Sequence, residues 1–268
     1  MIPKNILQPI SNGEFMIKFL LVVLCSVINV LAINNYAFNK EGKVVCDNYV
    51  LNTYLYVVLA FVIMGGIFVI DERFKLMFKI IGMGMIGVGI LILLFLVELG
   101  LVIALQYIDD ENVVASHAVW ISLISILGFM TTITLYFGAL TGTLYQAIVL
   151  TILITIATGY IGYHYGDKLI SVDFERYLTY ALIGLIIAYF VGPFLVKDRE
   201  NFYYVMAAIG LVIFILLLLA YNKNIRIRAA ECKVPNYPKE SFGLIIKIVN
   251  VLQKLIRLLS KGKGRGRK

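Results

Sequence analysis

Apolar residues in this chain fall in long runs separated by short polar segments. Most runs approach the roughly 20 residues that an α-helix needs to cross a hydrocarbon core. Lipid offers no partner for backbone N–H and C=O groups, so runs of that length must be helical. The pattern predicts spans at Phe15–Ile33, Val50–Ile70, Ile80–Gln106, Ala118–Ala139, Leu144–Tyr163, Leu178–Val196 and Phe202–Tyr221. The third run would make a helix of about 40 Å, longer than the hydrocarbon, so it must tilt, bend or protrude. The first run has two readings. It carries Lys18 at its start and Val30-x-Ala32 near its end, as a cleaved signal peptide would; its length and Asn29 favour an uncleaved first span. Gly82, Gly84, Gly87 and Gly89 predict one close-packing face, and Gly184, Ala188 and Gly192 another. The short link Leu140–Thr143 predicts an antiparallel hairpin of the fourth and fifth spans.

The last element, Ser241–Leu259, departs from this pattern. Lys247, Asn250, Lys254, Arg257 and Lys261 are spaced 3, 4, 3 and 4 apart, which places them on one helical face. Leu244, Ile245, Ile248, Val249, Leu252, Leu255, Ile256 and Leu259 fill the other. Such a helix can lie in the headgroup layer with its basic stripe toward phosphates. It can also turn the stripe inward and line a polar site between helices. Before it, Pro235 and Pro238 are expected to break any helix. The chain therefore reads as an all-α integral membrane protein of seven transmembrane helices plus a C-terminal amphipathic or re-entrant helix. One membrane domain covers residues 1–260, and residues 261–268 form a basic cytosolic tail.

Composition agrees, with 61% hydrophobic and 15% charged residues among 268. The net charge of +8 comes mainly from the C-terminal part, where 13 Lys or Arg and only two acids follow from Lys223 onward. Such clustering suits an anionic, cytoplasmic-facing membrane surface. The tail residues Lys261, Lys263, Arg265, Arg267 and Lys268, with Lys254 and Arg257, are the candidates for anionic headgroups. They lack the interleaved aromatics of a nucleic-acid site, and none is expected. Cys25, Cys46 and Cys232 are odd in number and scattered, which suggests neither a disulfide framework nor a metal site. Asp109, Asp110 and Glu111 lack the Gly-punctuated spacing of a calcium loop and read as a solvated turn. Loop Lys and Arg counts favour a scheme with Asn34–Tyr49, His164–Tyr177, Asn222–Glu240 and the tail in the cytosol, 14 against six. If the last element spans and the N-terminus is inside, the split is 11 to nine.

Leu144–Thr151 reads LYQAIVLT and resembles the start of the central helix of the Bax inhibitor motif family, with Gln146, Ala147 and Thr151 matching Q-A-x-x-x-T. Tyr221–Asn224, YNKN, stands where the family has Y-D-T-Q. Ile246–Leu258, IKIVNVLQKLIRL, stands where it has L-D-x-x-N-L-F followed by L-L-R; Asn250 and Leu255–Leu258 fit. The resemblance covers roughly residues 117–260. It implies a membrane protein that modulates ion leak, with Ca²⁺ as the candidate ion, or cell death. The family's two aspartates, a buried pH-sensing pair, fall here on Asn222 and Lys247. An amide and an ammonium cannot share a proton as two carboxylates do. The resemblance thus implies a divergent member with altered or lost conduction.

One carboxylate, Glu98, lies inside an apolar run. It should face protein beside a partner, with Lys247 the candidate, or reach water near an interface. The polar-cavity candidates are thus Glu98, Asn222, Lys247 and Asn250. No nucleophile–base pair, HExxH or P-loop occurs, so neither enzymatic activity nor a cofactor is expected. The alternative to an ion-leak protein is a small-solute transporter or a membrane-anchored accessory protein without conduction.

Overall fold

A computed structural model describes residues 8–265, with side chains as far as Lys261. Among the described residues the regular structure is helical: α1 (Asn12–Ala37), α2 (Tyr49–Phe74), α3 (Leu76–Gly82), α4 (Met85–Tyr107), α5 (Val113–Leu140), α6 (Leu144–Leu169), α7 (Val172–Leu195), α8 (Arg199–Ala230) and α9 (Tyr237–Arg265). All but α3 and α9 are long and apolar enough to cross a membrane, and α9 is amphipathic, as the sequence pattern predicts.

The helices outrun their apolar stretches. Segments expected as loops at His164–Tyr177 and after Asn222 are largely helical, so only Ile170 and Ser171 separate α6 from α7. Ser171 caps α7 by accepting the Phe174 N–H at 3.2 Å. Pro238 does not break the last helix but lies in its first turn, where an N–H has no intrahelical acceptor anyway. Asn236 caps that turn, accepting the Lys239 N–H at 3.1 Å. The overlong third run is resolved by a break. Gly84 adopts φ +61°, a conformation that glycine takes without Cβ strain, and divides α3 from α4.

The chain forms two compact units, one comprising residues up to Tyr136 with Glu231–Phe242, the other Phe137–Ala230 with the chain from Gly243. In the first, α1 packs along α2. Lys18 Nζ donates to Glu72 at 2.8 Å at one end of that pair. Gly128 of α5 lets Met64 of α2 approach closely. Trp120, Tyr56 and Tyr237 form a buried aromatic core, with Tyr56 and Trp120 ring centroids 5.6 Å apart. Asn52 binds three oxygens there, the carbonyls of Tyr36 and Asp47 and the Tyr237 hydroxyl.

Beside this core, Cys46 and Cys232 form a disulfide across 186 positions of sequence. This corrects the expectation that the scattered cysteines make no bridge. Spacing cannot disclose a pairing made by two distant loops that the helices bring together. Asp110 accepts from Asn236 at 3.1 Å and pairs with Lys239 at 3.7 Å, so the acidic turn there holds the segment before α9.

In the second unit α8 is flanked by α6 and α7. Gly162 and Gly166 of α6 meet the Leu219 backbone and the Lys223 side chain so closely that any Cβ there would collide. Gly192 of α7 abuts Phe202. The expected face at Gly82, Gly84 and Gly89 meets no neighbour among the described residues, and neither does Gly184. Of the glycines expected to pack, Gly192 and Gly87, the latter tight against the Ile80 carbonyl, make close contacts among the described residues.

Candidate functional site

The apolar face of α9 is turned into protein. Leu244, Ile245, Ile248, Val249, Leu252, Leu255 and Ile256 are all buried. An interfacial helix would instead hold that face in lipid. Within the second unit α9 runs antiparallel along α8: Gly243 faces Tyr221, Lys254 packs on Gly210, and Lys261 reaches Asn201.

The basic stripe meets tyrosines. Lys247 Nζ lies 4.1 Å from the Tyr221 ring centroid and donates to the Gly243 carbonyl at 2.8 Å. Lys254 Nζ is 4.4 Å from the Tyr189 centroid and donates to its hydroxyl at 3.0 Å. Arg257 stands 4.9 Å over Tyr203, and Lys261 stands 4.6 Å over Tyr204. Each ring offers a negative face to the cation, worth about 0.5–2 kcal/mol as desolvation increases. Lys247 and Lys254 are half-buried, whereas Arg257 is exposed. The side chains of Lys263 and Arg265, and all of Arg267 and Lys268, lie outside the described residues.

The polar candidates behave differently from one another. Asn222 is buried and donates to the Leu218 carbonyl at 2.8 Å. Asn250 is half-buried and donates to the Ile246 carbonyl at 2.9 Å. Both satisfy their own helix. Glu98, on α4 in the first unit, makes no ion pair or hydrogen bond among the described residues. α4 is exposed along much of its length, and Glu98 is one of its half-buried positions.

The second unit does contain an ion pair, one that the pattern of runs does not predict. Lys223 is buried and donates to the Ile170 carbonyl at 2.9 Å and to Glu175 at 3.0 Å. Asn224 donates to the other Glu175 oxygen at 2.9 Å. Arg226 pairs with Asp167. The polar character of these segments marks them as loops. A helical reading of 222–230 places Lys223 and Arg226 three residues apart on one face, opposite Asp167 near the end of α6 and Glu175 in the first turn of α7.

Near the α8 N-terminus, Asp198 accepts the Asn201 N–H at 3.0 Å. That hydrogen bond holds its carboxyl below the usual carboxylate range. Here α8 and α9 border a cleft of about 700 Å³.

Long apolar helices, glycine-mediated packing and a polar last helix define a multi-pass helical membrane protein. A family model described as inhibitor of apoptosis-promoting Bax1 matches residues 46–264. The chain belongs to this Bax inhibitor family. No curated protein matches it.

Proposed function

We propose that this Bax-inhibitor-type membrane protein modulates ion leak, with Ca²⁺ as the candidate ion, or cell death, without the proton-switched acidic gate that the family resemblance implies. One observation carries the reading. The positions that the family resemblance sets against its two aspartates hold Asn222 and Lys247, and Lys247 belongs to a line of cation–tyrosine contacts along α9. Two neighbouring carboxylates titrate as a pair with split values. An amide does not titrate, and an ammonium repels Ca²⁺. On this reading α9 is a packed strut, and any conduction is insensitive to pH near neutrality. No enzymatic step is part of the proposal.

The disulfide and the course of α9 support an orientation. Disulfides persist in oxidising compartments, so Cys46 and Cys232 would face a lumen or the exterior. α9 leaves from the Cys232 side, runs antiparallel to α8 and delivers the basic tail to the cytosol of an internal membrane. The scheme with 14 cytosolic loop charges then gives way to the 11-to-nine scheme, because Asn34–Tyr49 and the segment before α9 carry the two cysteines.

Calcium flux from liposomes containing the purified protein, compared at about pH 6 and about pH 8, tests the function. Equal, non-zero flux supports it. A several-fold pH-switched flux contradicts it, and no flux at either pH favours the accessory-protein alternative.

A further inference from the structure

The cleft beside the α8 N-terminus holds charges of both signs. Its volume, about 700 Å³, falls within the range of small-molecule sites. Arg257 and Lys261 are one turn apart on α9 and form one wall. Asp198 and Glu200 form another. Arg257 rests one face on Tyr203 and has no hydrogen-bond acceptor among the described residues. Glu200 likewise has neither a donor nor an ion pair for its carboxylate among them. These two opposite charges line one cleft without meeting within ion-pair distance. Lys261 is held by the Tyr204 ring and the Asn201 side chain. Asp198 remains anionic because its cap hydrogen bond favours the charged form.

A guanidinium fork with an adjacent ammonium suits a phosphate. A carboxylate across the cleft suits an ammonium that can donate hydrogen bonds. A purely anionic ligand would leave Glu200 repelling it, and a purely cationic one would meet Arg257. The ligand that satisfies both walls is a phosphate ester carrying a primary amine. Both walls belong to the ends of long helices, where phospholipid headgroups lie. We propose that this cleft binds the headgroup of an amine-bearing, zwitterionic phospholipid of the phosphoethanolamine type. The assignment concerns headgroup chemistry and does not depend on ion flux; the proposed orientation only adds that the cleft opens to the cytosolic leaflet.

Native mass spectrometry of the full-length, delipidated protein tests this. It would be titrated with phosphatidylethanolamine, phosphatidylcholine, phosphatidylglycerol and phosphatidic acid of identical acyl chains. Phosphatidylethanolamine should bind tightest, because the quaternary ammonium of phosphatidylcholine cannot donate to Glu200. Glu200→Gln should erase the preference over phosphatidylcholine and leave phosphatidic acid binding unchanged or tighter. Arg257→Gln should weaken phosphatidylethanolamine binding about tenfold, the loss of one charge-assisted hydrogen bond. Both residues are exposed, so neither change should unfold the protein. Equal binding of all four lipids, anionic lipids preferred over phosphatidylethanolamine, or no effect of Glu200→Gln would overturn the proposal. Soluble phosphoethanolamine that displaces the lipid at micromolar concentration would assign the cleft to a free ester and overturn the lipid assignment.

Discussion

α4 and α9 invert what hydrophobicity suggests about burial. α4 has the most apolar window of the candidate spans, yet buries only Gly87 and Leu105. α9 carries a stripe of cations and falls outside the set of apolar spans, yet its apolar face is almost wholly buried. In lipid an apolar surface gains nothing by leaving the solvent, so a uniformly apolar helix can stay at the periphery. A helix with cations cannot, unless protein groups receive them. The tyrosines of α7 and α8 do so for α9.

The largest expected effect comes from truncating the two helices. Leu244 and Ile256 have no exposed surface, whereas Ile92 and Leu93 of α4 are 55% and 60% exposed. Leu244→Ala or Ile256→Ala should cost about 2–5 kcal/mol, read as a drop in thermal stability in detergent. Ile92→Ala and Leu93→Ala should change it little. Equal losses on both helices would erase the contrast.

The disulfide comes next. It closes a loop of 186 residues and fastens the segment that leads into α9. Reduction, or Cys46→Ser, should cost about 2–4 kcal/mol. A maleimide gel shift at Cys46 and Cys232 should appear only after reductant is added; labelling beforehand would remove the support for the orientation.

The cation–tyrosine contacts should show smaller couplings. A double-mutant cycle of Lys254→Met and Tyr189→Leu should give about 0.5–2 kcal/mol of coupling. Tyr189→Phe keeps the ring and removes the 3.0 Å hydrogen bond, so its loss should be intermediate. Lys247→Leu and Glu98→Gln should simply add. Coupling between them would demonstrate the ion pair expected from sequence.

Acid should have the smallest effect. Asp198 is held below the usual carboxylate range, so its contribution is complete above its unfolded value and fades as pH falls through the lower, folded value. The α8 cap should therefore be insensitive to pH near neutrality and weaken only in strong acid, a dependence that Asp198→Asn should abolish. A midpoint near neutrality would point to another group.

Much of the contrast between α4 and α9 is legible in the amino-acid sequence. Run lengths locate the helices, and the spacing from Lys247 to Lys261 exposes the amphipathic face of α9. Residues 222–230 and 164–169 are harder to read, because charge marks the edge of the hydrocarbon whereas helices continue into the headgroup layer. The same ambiguity hides the Lys223–Glu175 pair. Glycine repeats are ambiguous because a small residue permits approach but does not attract a partner: Gly162 and Gly166 meet one, and Gly89 meets none among the described residues. Tyr203 and Tyr204, near a span end, read as interfacial anchors, Tyr221 stands out only as the start of the YNKN segment, and Tyr189 carries no signal of its own. Nothing local in the sequence says which ring a lysine on another helix will meet.

Spin labels test most directly whether α9 is a protein-facing helix. Single nitroxides would be placed at Ile248 and Leu252 of α9 and at Leu93 and Leu96 of α4, in protein reconstituted into bilayers, and their collision rates with oxygen, which concentrates in lipid, would be measured. Low oxygen accessibility at both α9 sites and high accessibility at both α4 sites is the expected result. High accessibility at Ile248 and Leu252 would place the apolar face of α9 in lipid, and α9 would then be an interfacial anchor.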